Sequence, residues 1–471
     1  MKKLIITIIC TFSPLISCSR NKIEWVVTTP DVSWQSQDVK KIEFISERPD
    51  AIVDISNPLQ TIDGFGACFN EMGWTSLSLL SEADRELIFR ELFEYGQGAN
   101  FTVCRMPVGA NDFSRDWYSY NETDGDFEMN NFSIANDRET LIPFIKAAQK
   151  QNPNLKIWAS PWSPPTWMKD NKHYACRPMR ANSEMSNGLE SEQVRREGMN
   201  VFIQDDAYFK AYALYFKKFI EAYRVENIDI FMVMPQNEFN SPQNFPSCTW
   251  QSSGLTTFIG KYLGPEMSNI GVEVMFGTME RPNPALVDTA LMDPESKKYI
   301  SGVGFQWAGK QSIGDIHKRY PNLKIYQTEQ ECGNGQNSWN MCVYSWGLLK
   351  HYINNGTNVY DYWNISLEEG GVSRWRWRQN SLVTVNKENR SFKFTYEYYV
   401  MKHVSHYVLQ GAKFLPVSGE FDDMLAFRNT DGRYVLIIHN ETETEINPVI
   451  QIGDRIISIT IKPQSFNTIK L

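Results

Sequence analysis

The sequence predicts an α/β chain: a closed (β/α)₈ TIM barrel with a side β-sandwich built from both chain ends. Three observations carry this. Eight short apolar runs alternate with helical stretches between residues 61 and 407. After residue 408 the alternation stops, and six strand-like runs follow, split by turn signals such as Asp431-Gly432 and Gly453-Asp454. Two runs before residue 60 alternate apolar and polar residues, and a closed barrel offers them no partner. They are expected to join the C-terminal sheets. An open doubly wound sheet is the rival fold, but it usually brings a glycine-rich nucleotide loop, and none is found.

Taken in order, the chain opens with Met1-Lys2-Lys3 and a mostly apolar stretch over 4–16, ending in Leu15-Ile16-Ser17-Cys18. This reads as a secretory signal peptide with a bacterial lipobox. The apolar stretch is shorter than the roughly 20 residues a membrane span needs. Residues 1–18 are therefore expected to be a lipoprotein signal, with Cys18 carrying the lipid and the protein exported to the cell surface or periplasm. A membrane contact is expected only through that anchor. Residues 19–35 are polar and expected to be a tether. Residues 36–60 hold the N-terminal sandwich strands at 41–45 and 51–55. The barrel, 61–407, has its strands at 61–65, 101–105, 155–159, 230–234, 272–276, 302–306, 323–327 and 359–363. Between them, Ser81-Glu82-Ala83-Asp84 is a helix start of capping-box type. Asp205 precedes a stripe of Phe209, Tyr212, Phe216, Phe219 and Tyr223 at helical spacing. Residues 141–148 and 346–353 look similar. The C-terminal sandwich, 408–471, has strands at 414–417, 424–427, 434–438, 449–452, 456–461 and 466–469.

Composition removes several function classes. The 471 residues carry a net charge of -8 and a pI of about 5.5, which argues against a basic nucleic-acid stripe. Cys68, Cys104, Cys176, Cys248, Cys332 and Cys342 form no C-x-x-C pair, so no zinc ribbon is indicated. Export permits one or two disulfides, and Cys68 and Cys104 read as buried thiols. There is no H-E-x-x-H and no G-x-S-x-G. The 304–310 segment has P-loop spacing, but Gln311 stands where Ser or Thr is needed. No metal or cofactor is expected.

In such a barrel the active site lies at the C-terminal ends of the strands. Reading past each run gives Asp63, Asn70 and Glu71, then Arg105, Asn111 and Asp112. The 160–169 segment, Ser-Pro-Trp-Ser-Pro-Pro-Thr-Trp-Met-Lys, follows the third strand, and Gln236-Asn237-Glu238 follows the fourth. Later come Gln306 and Trp307, Thr328-Glu329, Trp363-Asn364, and the run Arg374-Trp375-Arg376-Trp377-Arg378. Two carboxylates on facing strands, amid Trp and amides, suit glycoside hydrolysis. One protonates the leaving oxygen and the other attacks or stabilises the anomeric carbon. Glu238 and Glu329 are the catalytic candidates. Asn237 is placed for a sugar 2-hydroxyl, and Arg105 for lowering the pKa of the nucleophile. Glu331 is the competing assignment for Glu329, which is preferred because it directly follows the strand. Trp375 and Trp377 are expected to wall the substrate cleft.

These segments, with Asp63-Gly64-Phe65-Gly66-Ala67, Arg105-Met106-Pro107-Val108-Gly109 and Glu369-Gly370-Gly371, resemble glycoside hydrolase family 30. That family comprises glucosylceramidases, β-1,6-glucanases and related xylanases. The resemblance spans about residues 40–471. It implies a barrel with a side sandwich and hydrolysis of β-glycosides with retention, Glu238 serving as acid/base and Glu329 as nucleophile. It further implies that Asp112, Trp162, Asn237 and Trp363 line the −1 sugar site with Arg105 beside the nucleophile. Two departures stand out. Relatives like glucosylceramidase often carry His-Trp-Tyr after the sixth strand, where this chain has Gln306-Trp307-Ala308. Residues 171–203 form a long polar insertion rich in arginine. The expected activity is hydrolysis of a β-glucan, β-1,6-linked by preference, with glucosylceramide, xylan or a β-fucoside as other substrates. The rival of another class is a surface protein that binds glycan without cleaving it.

Overall fold

The computed structural model describes residues 23–39, 42–44, 47–181 and 183–471. The expected signal segment and Cys18 lie outside the described residues. Strands β1 (Glu24–Thr29), β2 (Val32–Ser36), β3 (Ile42–Phe44) and β4 (Ala51–Val53) come first. The barrel strands are β5 (Gly64–Cys68), β6 (Val103–Pro107), β7 (Lys156–Ser160), β8 (Ile230–Val233), β9 (Glu273–Met279), β10 (Ile300–Gln306), β11 (Lys324–Glu329) and β12 (Val359–Glu368). They pair in sequence order, all parallel, and β11 and β12 close the ring. A hairpin of β13 (Ser381–Asn386) and β14 (Ser391–Phe394) extends from β12. The chain ends in β15 (Lys413–Leu415), β16 (Val417–Gly419), β17 (Met424–Arg428), β18 (Tyr434–Asn440), β19 (Val449–Ile452), β20 (Arg455–Ile459) and β21 (Ser465–Lys470).

Both chain ends build the sandwich. One sheet runs β15-β17-β18-β21-β1-β2 and the other β16-β4-β19-β20-β3. Trp25, Leu436, Ile438 and Ile469 from the first meet Val53, Ile450 and Ile457 from the second in one buried cluster. The expected N-terminal strands thus do find their partners in the C-terminal sheets. Three expectations need correction. The stretch 19–35 is not wholly a tether: β1 is a central strand beside β21, and Trp25, Val26 and Val27 are buried. The run at 414–417 is two strands, because Pro416 has no N–H to continue a ladder and the chain crosses there from one sheet to the other. The β13–β14 hairpin was not expected.

Helix signals in the sequence correspond to helices. The Ser81 hydroxyl accepts from the Asp84 N–H and starts the helix Glu82–Phe93. Asp205 accepts from the Ala207 N–H and starts Asp206–Val225, which buries the expected aromatic stripe. Each such cap contributes about 1 kcal/mol. Inside the barrel, Val103, Trp158, Met232, Met275, Tyr326 and Val359 come from six different strands and form a buried cluster of their own. This apolar layer closes the barrel. The functional groups stand on it, toward the C-terminal ends of the strands. Asp63, expected at that end, precedes β5 and pairs with Lys324 at the start of β11, so it sits at the opposite end. Among the described residues, all six cysteines are buried and unpaired.

Candidate active site

Arg105 is the post around which the site is assembled. It lies on β6, points into the barrel and is 0 % exposed. Its guanidinium donates to Glu329 Oε2 (2.9 Å), to Asn237 Oδ1 (2.7 Å), to the Ser160 hydroxyl (2.9 Å) and to the Thr328 carbonyl (3.0 Å). Its planar face lies 4.3 Å from the Trp162 ring, 5.0 Å from Trp158 and 5.5 Å from Trp363. A buried cation needs this many partners, because desolvation alone would cost several kcal/mol.

Asn237 follows from that geometry. Its Oδ1 accepts from Arg105, from Thr278 Oγ1 (3.2 Å) and from Gln306 Nε2 (3.2 Å). The oxygen is saturated, so the side-chain NH₂ is the free end in the pocket it lines. The Asn237 backbone N–H donates to Pro161 O at 2.7 Å, which ties the β8 loop to the β7 motif.

Glu238 and Glu329 face one another across the strand ends. The side-chain nitrogen of Gln306 is 3.2 Å from Glu238 Oε1 and 3.2 Å from Glu329 Oε2. Those two oxygens therefore lie no more than twice that distance apart, about 6.4 Å. Glu329 Oε1 accepts from the Trp307 indole at 3.0 Å, and Glu238 Oε2 from Gln243 at 3.1 Å. Glu238 has φ 45° and Trp307 φ 47°. A non-glycine residue in this region stores about 1–3 kcal/mol of strain. For Glu238 it is held by the backbone N–H donating to Thr278 Oγ1 at 2.9 Å.

Asp112, Trp162, Asn237, Glu238, Trp307, Glu329 and Trp377 line one open pocket of about 200 Å³. Gln243, Phe245, Glu280 and Gln379 complete it. Sequence reading missed these four, which sit on irregular loops with no periodic signal. The remaining candidates lie elsewhere. Gln306 is fully buried behind the carboxylates. Trp363, also fully buried, stacks behind Trp162 with centroids 5.3 Å apart. Trp375 packs 4.7 Å from Trp117 and lines a second pocket, with Arg180, Arg376 and Arg378, that shares Trp377 with the first. Glu331 is engaged by Lys310 and Tyr344 and does not line the pocket. Among the described residues, no group of three His, Cys, Asp or Glu is placed to hold a metal ion.

Comparison with known proteins bears on what this arrangement is. Residues 62–408 match the family model of the glycosyl hydrolase family 30 TIM-barrel domain, and residues 419–469 that of the family 30 beta sandwich domain. The chain belongs to glycosyl hydrolase family 30.

It is a glycoside hydrolase. It is 26% identical to the lysosomal acid glucosylceramidase of Mus musculus over 86% of this chain and 79% of that protein. It is 27% identical to the endo-1,6-beta-D-glucanase neg1 of Aspergillus fumigatus over 81% of this chain and 78% of that one. The solved structure of the endo-beta1,6-glucanase BT3312 superposes with a TM-score of 0.79 at 23% identity, covering 95% of this chain and 99% of that chain.

In this family 30 hydrolase the two glutamates have unlike surroundings. Burial, and then the charge of Glu329, push the Glu238 carboxyl up to about 8. Glu329 is also raised by burial, but Arg105, Trp307 and Gln306 all favour its ionised form. Of the pair, Glu238 holds its proton to the higher pH, and the neighbours of Glu329 favour its charged form. Asp112 is raised by burial and by Glu329. Its Oδ1 is buried without a hydrogen-bond partner and belongs to the pocket wall.

Proposed function

We propose that this enzyme cleaves β-linked glucan with retention of anomeric configuration, β-1,6 linkages foremost. In this reading Glu238 protonates the leaving oxygen while Glu329 attacks the anomeric carbon. Glu238 then deprotonates the water that releases the sugar. The observation that carries the reading is the shared Gln306 amide, which limits the nearest carboxyl oxygens to about 6.4 Å. Inverting pairs stand about 6.5–9.5 Å apart to admit a water, and retaining pairs about 5–5.5 Å. The unequal protonation of the pair matches the two roles, a neutral acid and a charged nucleophile. Asn237 offers its NH₂ to the 2-hydroxyl, Asp112 accepts from another hydroxyl, and Trp162 and Trp307 line the wall beside the sugar ring.

Glucan is favoured over a ceramide glycoside by the second pocket. Trp377 is partly exposed and provides a stacking face there, Trp375 is buried against Trp117, and Arg180, Arg376, Arg378, Asn244 and Asn334 surround them. Such a wall suits further sugar units and disfavours paired alkyl chains. The two relatives named for endo-1,6-glucanase activity support the linkage. Initial rates on β-1,6-glucan, β-1,3-glucan, xylan, an aryl β-fucoside and glucosylceramide test it. The highest kcat/KM is expected on β-1,6-glucan, and a preference for any other substrate by tenfold or more overturns the linkage. We also propose export and lipid attachment at Cys18, on the strength of the Leu15-Ile16-Ser17-Cys18 segment. Cys18→Ala should move the protein from membrane to soluble fractions, and an unchanged distribution refutes the anchor.

A further inference from the structure

We infer that Gln306 is a positioning residue, a neutral clamp that holds Glu238 and Glu329 at working distance and follows the negative charge from one to the other during turnover. This rests on the assignment of those two glutamates above. Gln306 ends β10, is 0 % exposed and does not line the pocket, so it does not meet sugar.

Its amide orientation is dictated by its neighbours. The nitrogen faces three acceptors, Asn237 Oδ1, Glu238 Oε1 and Glu329 Oε2, each at 3.2 Å. The oxygen accepts from Thr328 Oγ1 at 2.9 Å. A flipped amide would set an oxygen against the oxygens of Asn237, Glu238 and Glu329. Every other donor to the pair serves one carboxylate only: Arg105 and Trp307 go to Glu329, and Gln243 goes to Glu238. Among the described residues, Gln306 alone bonds both.

An NH₂ has two hydrogens for these three oxygens, so its bonds must be distributed. Charge decides the distribution, because a bond to an ionised oxygen is about twice as strong as a neutral one. Before attack, Glu329 is charged and Glu238 holds a proton. During attack, Glu329 forms a bond to the anomeric carbon, the glycosidic bond breaks, and the Glu238 proton goes to the leaving oxygen. The charge now sits on Glu238, and Glu329 is an ester. Water then attacks the anomeric carbon and gives its proton to Glu238, and Glu329 regains its charge. Through both steps Gln306 needs only to shift weight between two hydrogen bonds already in place. It gains and loses no proton. A histidine there would add a titration of its own.

The test uses Gln306→Met, which keeps size and removes the donor. Both carboxyls lose a bond that favours ionisation. Titration of carboxyl signals in protein labelled with ¹³C-glutamate, assigned with Glu238→Gln and Glu329→Gln, should move both midpoints to higher pH. On substrate, kcat should fall about 10²-fold while KM stays within about threefold. Gln306→His, which restores an N–H donor, should recover about tenfold of that loss. If Gln306→Met does not fold, Gln306→Leu, which also lacks a donor and adds no charge, reads the same quantity. Midpoints that stay in place, or a rise in KM at constant kcat, overturn the inference. The titration needs no substrate, so it decides even if wild-type enzyme is silent on every β-glycan, a result that would sink the glycosidase reading separately.

Discussion

Asn237 and Glu238 are adjacent in sequence, yet the fold assigns them opposite tasks. The Asn237 oxygen is consumed by Arg105, Thr278 and Gln306, leaving a donor for sugar, while Glu238 is raised by burial and keeps its proton. The pH dependence follows with a fixed sign. On the proposed roles, activity requires Glu329 ionised, so it rises as pH climbs through that group's midpoint, which burial holds above the ordinary carboxyl range. It requires Glu238 protonated, so it falls as pH passes about 8. A bell-shaped profile of kcat/KM is expected. For substrates with good leaving groups, which need no protonation, Glu238→Gln should abolish the alkaline limb. Persistence of that limb removes Glu238 from the acid role. Both glutamates and Arg105 were legible in the sequence, because charged residues at the ends of apolar runs are rare enough to single out. Gln243 and Glu280 were not, since their loops have no period to betray which way they face. Nor was it legible that Arg105, Gln306 and Trp363 stand behind the pocket wall, because depth depends on packing.

At the scale of elements, the apolar runs located all eight barrel strands, but their ends slid by as much as five residues, at β12. The slip at β5 matters. Its predicted span, 61–65, put Asp63 at the mouth, whereas the strand is Gly64–Cys68 and Asp63 lies at the base. Gly66 explains the true register. A Cβ there would collide with the Val103 carbonyl oxygen, so only glycine lets β5 approach β6, the strand that carries Arg105. Gly66→Ala should cost about 1–3 kcal/mol in denaturant unfolding by overpacking, and should lower kcat as Arg105 moves with β6. Unchanged stability contradicts this account of the β5–β6 contact. Strands β1, β2, β13 and β14 escaped the sequence because each is short and partly polar. Of these, β1 leans on β21 at the far end of the chain, which local pattern does not report, while β2 and β14 pair with the adjacent β1 and β13.

Across the whole molecule, the barrel and the sandwich meet at a polar tie. Asp423 of the sandwich accepts from Trp346 Nε1 (2.7 Å) and Lys350 Nζ (2.9 Å), both on the barrel helix Trp339–Asn354, and lies 2.7 Å from His439 Nδ1 on β18. Burial raises its carboxyl, but these partners outweigh burial and hold it at about 2. The tie therefore stabilises the fold at pH values above the ordinary carboxyl range and is lost as pH falls toward 2. Asp423→Asn should cost about 1–3 kcal/mol at neutral pH and flatten the acid dependence of thermal unfolding. An unchanged acid slope refutes the tie. The architecture as a whole brings Glu238 and Glu329 into one pocket, and the stereochemistry of hydrolysis tests the proposal that they act on one sugar ring most directly. Proton NMR of the first product released from a β-glycoside should show the β-anomer ahead of mutarotation, and α-anomer appearing first would contradict the paired-carboxylate account.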